Sequence, residues 1–152
     1  AARHAVRPGD RVIVIGAGTG HIAAALAEHV GPSGAVTAFE ADAQSVAFAR
    51  ARYPTPNTAH ERLGKSTLSA EPAEAAESIL VTPLAPPQDP SELWARLTTP
   101  GRLLLAGPHA ALAEPLRAHH HARVSTPNPS PDPTETPLVL AEKLPARVAS
   151  DA

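Results

Sequence analysis

Apolar residues along the chain fall into short solid runs that alternate with helically spaced ones. Arg11 to Ile15 (RVIVI) is an apolar run that follows the turn Arg7-Pro8-Gly9-Asp10 and predicts a strand. His21 to Val30 (HIAAALAEHV) instead sets Ile22, Ala25, Leu26 and Val30 at helical spacing, until Gly31-Pro32-Ser33-Gly34 stops it. The same alternation predicts a strand over Ala35 to Phe39 that ends at Glu40. A helix over Ala43 to Arg52 follows, capped by Asp42 and closed by Tyr53-Pro54. Residues 54 to 70 carry little periodicity beyond a short strand around His60 to Leu63.

Further along, Glu71 to Glu77 suits one or two helical turns, and Ser78 to Val81 reads as a buried strand. Asp89-Pro90-Ser91-Glu92 is a helix start with proline in first position, and it leads into Leu93 to Leu97. Pro100-Gly101 turns the chain into a strand over Arg102 to Ala106. A helix over Ala110 to His119, bent near Pro115, comes next. Ser125 to Pro137 holds five prolines and predicts an extended loop. Leu138 to Leu144 is a last strand, antiparallel at an edge or inserted, before a frayed tail over 146–152. Strands alternating with helices predict one α/β domain over residues 1–145: a doubly wound, mostly parallel sheet with its ligand at the carboxyl ends of the strands.

Composition narrows the partners. The 152 residues are 43% hydrophobic but only 3% aromatic, so the core is built from Ala, Val, Leu and Ile, with Trp94 as a rare large filler. A net charge of -2 offers no basic field for nucleic acid and nothing to attract an anionic membrane. Without cysteine there is neither a disulfide framework nor a thiolate metal site. No apolar run approaches the roughly 20 residues that span a bilayer, and no signal-peptide pattern is present, which fits a soluble, cytoplasmic protein. Methionine is absent even at residue 1, which suggests a segment of a longer protein or a processed product.

The chemistry concentrates where the first strand meets the first helix. Gly16-Ala17-Gly18-Thr19-Gly20 lets the backbone approach a ligand, and the helix start adds free N–H groups and a positive dipole end. A dinucleotide fingerprint would place its third small residue at position 21, but His21 stands there. Glu40, at the tip of the second strand, is placed to accept both ribose hydroxyls of a nucleoside. The alternative is a tight glycine turn with no ligand.

With those residues in register, the stretch RPGDRVIVIGAGTGHIAAALAEHVGPSGAVTAFEAD resembles the first two motifs of class I S-adenosylmethionine-dependent methyltransferases. The nearest group is the protein-L-isoaspartate O-methyltransferases, whose later region is echoed by ILVTPLAPPQDPSELWARLTTPGRLLLAGP. The resemblance implies a Rossmann-like sheet of the class I methyltransferase type with S-adenosyl-L-methionine as cofactor. Gly16, Ala17, Gly18 and Gly20 would line its methionine and ribose part. Glu40 would hold the ribose, Ala41 would lie beside the adenine, and Thr82 would lie at the pocket floor near the transferred methyl. The implied activity is O-methylation of a peptide or protein carboxylate, by positioning the acceptor rather than through a dedicated base.

The sequence also departs from that pattern. Val14 stands where these enzymes commonly keep Asp or Glu for the cofactor's amino-acid end. Gly64-Lys65 puts a cation where an acid would meet the adenine, while Glu77 matches the acid at the start of the fourth strand. The substrate-recognition sequence that the isoaspartate enzymes carry upstream has no counterpart, so further domains of a parent chain are expected. A second reading from another class is therefore a non-catalytic, methyltransferase-like module that serves as a structural or docking domain. A nicotinamide-binding domain is a third, against which His21 and the glycine spacing speak.

Other candidates read more simply as structure. His119-His120-His121 cannot all face one metal ion on a helix and suits a helix C-terminus. His21 could face a ligand or solvent, Ser66 and Thr67 lack a visible base, and Trp94 has core spacing.

Overall fold

The computed structural model describes residues 6–62, 75–126 and 138–145. Its strands are β1 (Arg11–Ile15), β2 (Ala35–Glu40), β3 (Thr58–Arg62), β4 (Ala76–Val81), β5 (Leu97–Ala106), β6 (Arg123–Ser125) and β7 (Leu138–Lys143). They form one sheet in the order β3-β2-β1-β4-β5-β7-β6. The pairings among β1 to β5 are parallel, whereas β7 runs antiparallel to both β5 and β6. The helices are α1 (His21–Val30), α2 (Ala43–Arg52), α3 (Pro90–Arg96) and α4 (Ala113–His120), and a 3₁₀ helix over Gly107–Leu112 precedes α4.

The apolar runs of the central strands follow from burial on both faces. Val12 and Val14 of β1 pack with Leu26 and Val30 of α1, while Ile13 and Ile15 pack with Leu93 of α3 and Leu116 of α4. Leu104 joins the first cluster, and Leu103 and Leu105 join the second. This is the doubly wound arrangement, with helices on opposite faces of one sheet. It places a crevice at the carboxyl ends of β1 and β4, where the chain reverses its direction of travel across the sheet.

Local chemistry explains the helix boundaries. Asp42 caps α2 by accepting from the Ser45 backbone N–H at 3.2 Å. The Asn57 amide donates to Ala27 O and Gly31 O, both at 3.0 Å, and satisfies carbonyls at the end of α1. At the amino ends of the strands, Asp10 pairs with Arg102 of β5 at 2.7 Å and accepts from Ser78 Oγ of β4 at 3.2 Å.

Several sequence expectations change. Ala76 and Glu77 belong to β4 rather than to a helix, since Ala76 pairs with Leu97 and Glu77 binds Arg11 across the strands. The helix that opens at Pro90 stops at Arg96, because Leu97 already joins the sheet. The Pro100-Gly101 turn is an irregularity within β5, where the register jumps between the pairs Ala76–Leu97 and Ser78–Arg102. Pro115 does not bend a long helix: it lies in the first turn of α4, where its missing N–H costs little, and a 3₁₀ helix takes the preceding residues. Ser125 ends the short strand β6 rather than opening a loop, and the last strand stops at Lys143 and is inserted between β5 and β6. Leu63, the Pro-rich residues 127–137, residues 71–74 and the tail over 146–152 lie outside the described residues, as do Lys65, Ser66 and Thr67. Among the described residues, no helix is long and apolar enough to cross a membrane.

Candidate functional site

The crevice between β1 and β4 is closed by two loops that dock on each other. After β1 the chain makes the glycine turn; after β4 it makes the turn Thr82-Pro83-Leu84-Ala85. Thr82 N donates to Ile15 O at 3.0 Å, and the buried Thr82 hydroxyl donates to Gly16 O. The same hydroxyl accepts from Leu84 N at 3.2 Å. A single threonine side chain thus ties the second loop to the first.

The three glycines do different jobs. A Cβ on Gly16 would meet Ala85 N and Thr82 Oγ1, both at 2.5 Å, so this glycine permits the loop-on-loop contact. Gly20 has φ +93° and starts α1; a Cβ there would lie 2.7 Å from Ala49 Cβ of α2 and 3.2 Å from the Tyr53 and His60 rings. Its open side therefore faces the interior. Gly18 faces outward, and the nearest atom to its missing side chain is Leu84 Cδ1 at 3.1 Å.

The backbone donors of the turn point inward. Gly16 N and Ala17 N both donate to Phe39 O, at 2.9 and 3.0 Å, and Gly20 N donates to Ala17 O at 3.1 Å. Gly18 N donates to Glu40 Oε1 at 2.9 Å, while Glu40 Oε2 accepts from Asp42 N at 2.7 Å. A turn that cradles a pyrophosphate needs those N–H groups free and aimed at the anion. Here four of them are taken, and a carboxylate occupies the approach to Gly18. The geometry therefore disfavours a dinucleotide and suits a ligand that offers hydroxyl donors to Glu40.

Gly16, Ala17, Gly18, Gly20, Glu40, Ala41 and Thr82 thus gather at the carboxyl ends of β1, β2 and β4, with Ala41 exposed beside Glu40. Val14 is fully buried and packs with Ala17, Leu26, Leu80 and Leu104, so its position is part of an apolar cluster. Glu77 sits at the opposite end of the sheet, paired with Arg11 at 2.6 Å. His21 is exposed and lines a groove of about 780 Å³ whose walls include Ala24 and Glu28 of α1 and Tyr53 and Asn57 of the segment after α2. None of the seven gathered residues lines that groove.

Of the three consecutive histidines, His119 is exposed and His121 forms the left-handed cap of α4. His120 lies 3.2 Å from Ser91 Oγ and 5.9 Å from the Trp94 ring. Trp94 is itself buried in the core. Among the described residues, no group of three His, Cys, Asp or Glu side chains could hold a metal ion.

The sequence reading missed Leu84 and Ala85. A position inside a proline-rich stretch carries no periodic signal, so nothing local tells that this loop folds back onto the glycine turn.

Solved structures share this fold. Precorrin-6y C5,15-methyltransferase from Geobacter metallireducens GS-15 superposes with a TM-score of 0.71 at 13% identity, covering 93% of this chain and 85% of that one. Aeropyrum pernix fibrillarin, solved with natively bound S-adenosyl-L-methionine, gives 0.73 at 14% identity, covering 90% and 68%. A protein-L-isoaspartate O-methyltransferase gives 0.53 at 25% identity, covering 65% of this chain and 32% of that one. No curated protein matches the chain in sequence. The family model of protein-L-isoaspartate(D-aspartate) O-methyltransferase matches residues 3–111. The chain thus belongs to the protein-L-isoaspartate(D-aspartate) O-methyltransferase family and has the class I methyltransferase fold.

Proposed function

We propose that this domain binds S-adenosyl-L-methionine at the glycine turn and methylates a carboxylate oxygen of a peptide or protein, of the isoaspartyl type that its family name states. The observation that carries the reading is the Glu40 carboxylate. It is held at the tip of β2 by two backbone N–H groups and still has lone pairs to accept ribose hydroxyls. Gly18 would bring backbone against the ligand in a turn that Gly16, Ala17 and Gly20 shape, Ala41 would lie beside the adenine, and Thr82 would form the floor. When bound, the cofactor supplies an activated methyl group.

The chain's own part is to orient the acceptor and exclude water, which removes much of the barrier without a dedicated base. In this reading selection of the acceptor falls to further domains of a parent chain; the superposition on the isoaspartate enzyme spans 65% of this chain and 32% of that one.

Val14 favours a second reading, a methyltransferase-like module that docks or stabilises a larger protein without turnover. A buried aliphatic side chain in that cluster cannot anchor the cofactor's amino-acid end. Calorimetric titration with S-adenosylhomocysteine separates the two. Micromolar binding that is lost in Glu40→Ala supports the enzyme. No heat and no shift in melting temperature would leave the docking module.

A further inference from the structure

We infer that Leu84 is the residue that controls entry of a ligand to the glycine turn, by standing on the one glycine of that turn that faces outward. The inference rests on the cofactor reading above and deepens it. Gly16 and Gly20 turn their open sides into the protein, toward Thr82 and Ala85 and toward Ala49 and Tyr53. Of the three glycines, Gly18 is therefore the one that a ligand can touch from solvent. The space over it is taken, because Leu84 Cδ1 lies 3.1 Å from where a Gly18 Cβ would be, a separation into which no ligand atom fits.

Leu84 is an unusual residue to find there. It is a large aliphatic side chain, 70% exposed, in a chain whose other leucines mostly fill the core. Exposure means that few contacts hold the side chain down, so it can leave its seat at small cost. Its backbone, by contrast, is fixed: Leu84 N donates to the Thr82 hydroxyl, which is tied to Gly16. The result is a movable side chain on an immobile post. Seated, it covers Gly18 and leaves the Gly18 N–H to Glu40. Swung out, it uncovers the turn and offers an apolar wall to the incoming ligand.

The consequence is a fraction of molecules competent to bind, and the apparent affinity scales with that fraction. Leu84→Ala empties the seat and is expected to tighten S-adenosylhomocysteine binding by about 3- to 10-fold, mainly through faster association. Leu84→Trp is expected to weaken it by a similar factor. Methyl NMR on the unsubstituted chain gives a readout that no folding defect can mimic. A cross-peak between the Leu84 methyls and the Gly18 α-protons should be present in the free protein and vanish on saturation with S-adenosylhomocysteine.

Equal association rates in the parent and Leu84→Ala, or a cross-peak that persists in the saturated protein, would overturn the role of Leu84 and leave the cofactor reading standing. Absence of binding in the parent and in every variant would overturn the cofactor reading, and the role of Leu84 with it. Binding by Leu84→Ala where the parent shows none would support both.

Discussion

Glu40 and Gly18, twenty-two residues apart, are joined by a 2.9 Å hydrogen bond from the glycine N–H to the carboxylate. The bond locks the glycine turn after β1 to the end of β2 and so prearranges both halves of the proposed nucleoside site. Glu40→Ala should therefore lose more than ligand affinity. With two charge-assisted bonds gone from a half-exposed position, urea unfolding should show a loss of about 1–2 kcal/mol. Glu40→Gln keeps an acceptor for Gly18 N but turns its amide NH2 toward Asp42 N, so its stability should fall between those of the parent and Glu40→Ala while S-adenosylhomocysteine binding is still weakened.

Gly20→Ala should be among the most damaging single-methyl additions. It forces a side chain into left-handed backbone and drives Cβ against Ala49, at a combined cost of about 2–5 kcal/mol. Thermal unfolding by circular dichroism checks this, and the double variant with Ala49→Gly should recover the packing part only.

Val14→Glu tests what the aliphatic residue means. The new carboxylate would enter a fully buried apolar cluster, so the free protein should lose about 2–4 kcal/mol. If the position still faces the cofactor's amino-acid end, S-adenosylmethionine should raise the melting temperature of this variant more than it raises that of the parent. An equal rise would mean that the position no longer serves the site.

The Asp10–Arg102 pair is a structural counterpart at the far end of the sheet. Both side chains are 11% exposed, and Arg102→Ala leaves the Asp10 charge with only Ser78 and the Arg7 N–H. A loss of about 3 kcal/mol is expected in chemical denaturation, with partial recovery in Asp10→Asn combined with Arg102→Met.

Asp42 gives a pH signature. The Ser45 hydroxyl, at 2.7 Å, and then the Ser45 N–H hold its carboxyl below the usual carboxylate range. A lowered folded value means that the cap is fully in force above the ordinary carboxylate pKa and is lost as pH falls through the folded value. The contribution of Asp42 to stability should thus be constant with pH near neutrality. In Asp42→Asn the acid-side decline should flatten, and a carbon-detected titration should find the Asp42 midpoint low.

The sequence carried β1, α1 and α2 to the residue, because their apolar spacing and their stops are local. It also carried the gathering of Gly16, Gly18 and Glu40, because strand ends in a doubly wound sheet converge by topology, and the family resemblance added Thr82. What it did not carry is non-local. Arg123 to Ser125 is too short to show a period and becomes a strand only because Leu138–Lys143 lies beside it. Leu97 looked like the end of a helix until its pairing with Ala76 claimed it for the sheet. Leu84 reads as one apolar residue among prolines, and its seat on Gly18 exists only once two separate loops meet.

The insertion of β7 sets an order of assembly. Among the described residues, β6 pairs with β7 and with no other strand, so β6 has no ladder to join until residues 138–143 arrive. Lys143 of the same strand donates to Trp94 O and Leu97 O, the carbonyls where α3 gives way to β5. Completion of this side of the sheet thus waits for residues 138–143. Before it happens, the edge of β5, with Leu103 and Leu105, has an open row of backbone groups of the kind that other chains recruit in aggregation. A chain shortened before residue 138 would lose two strands for one, and its hazard would be a sticky edge rather than an empty active site.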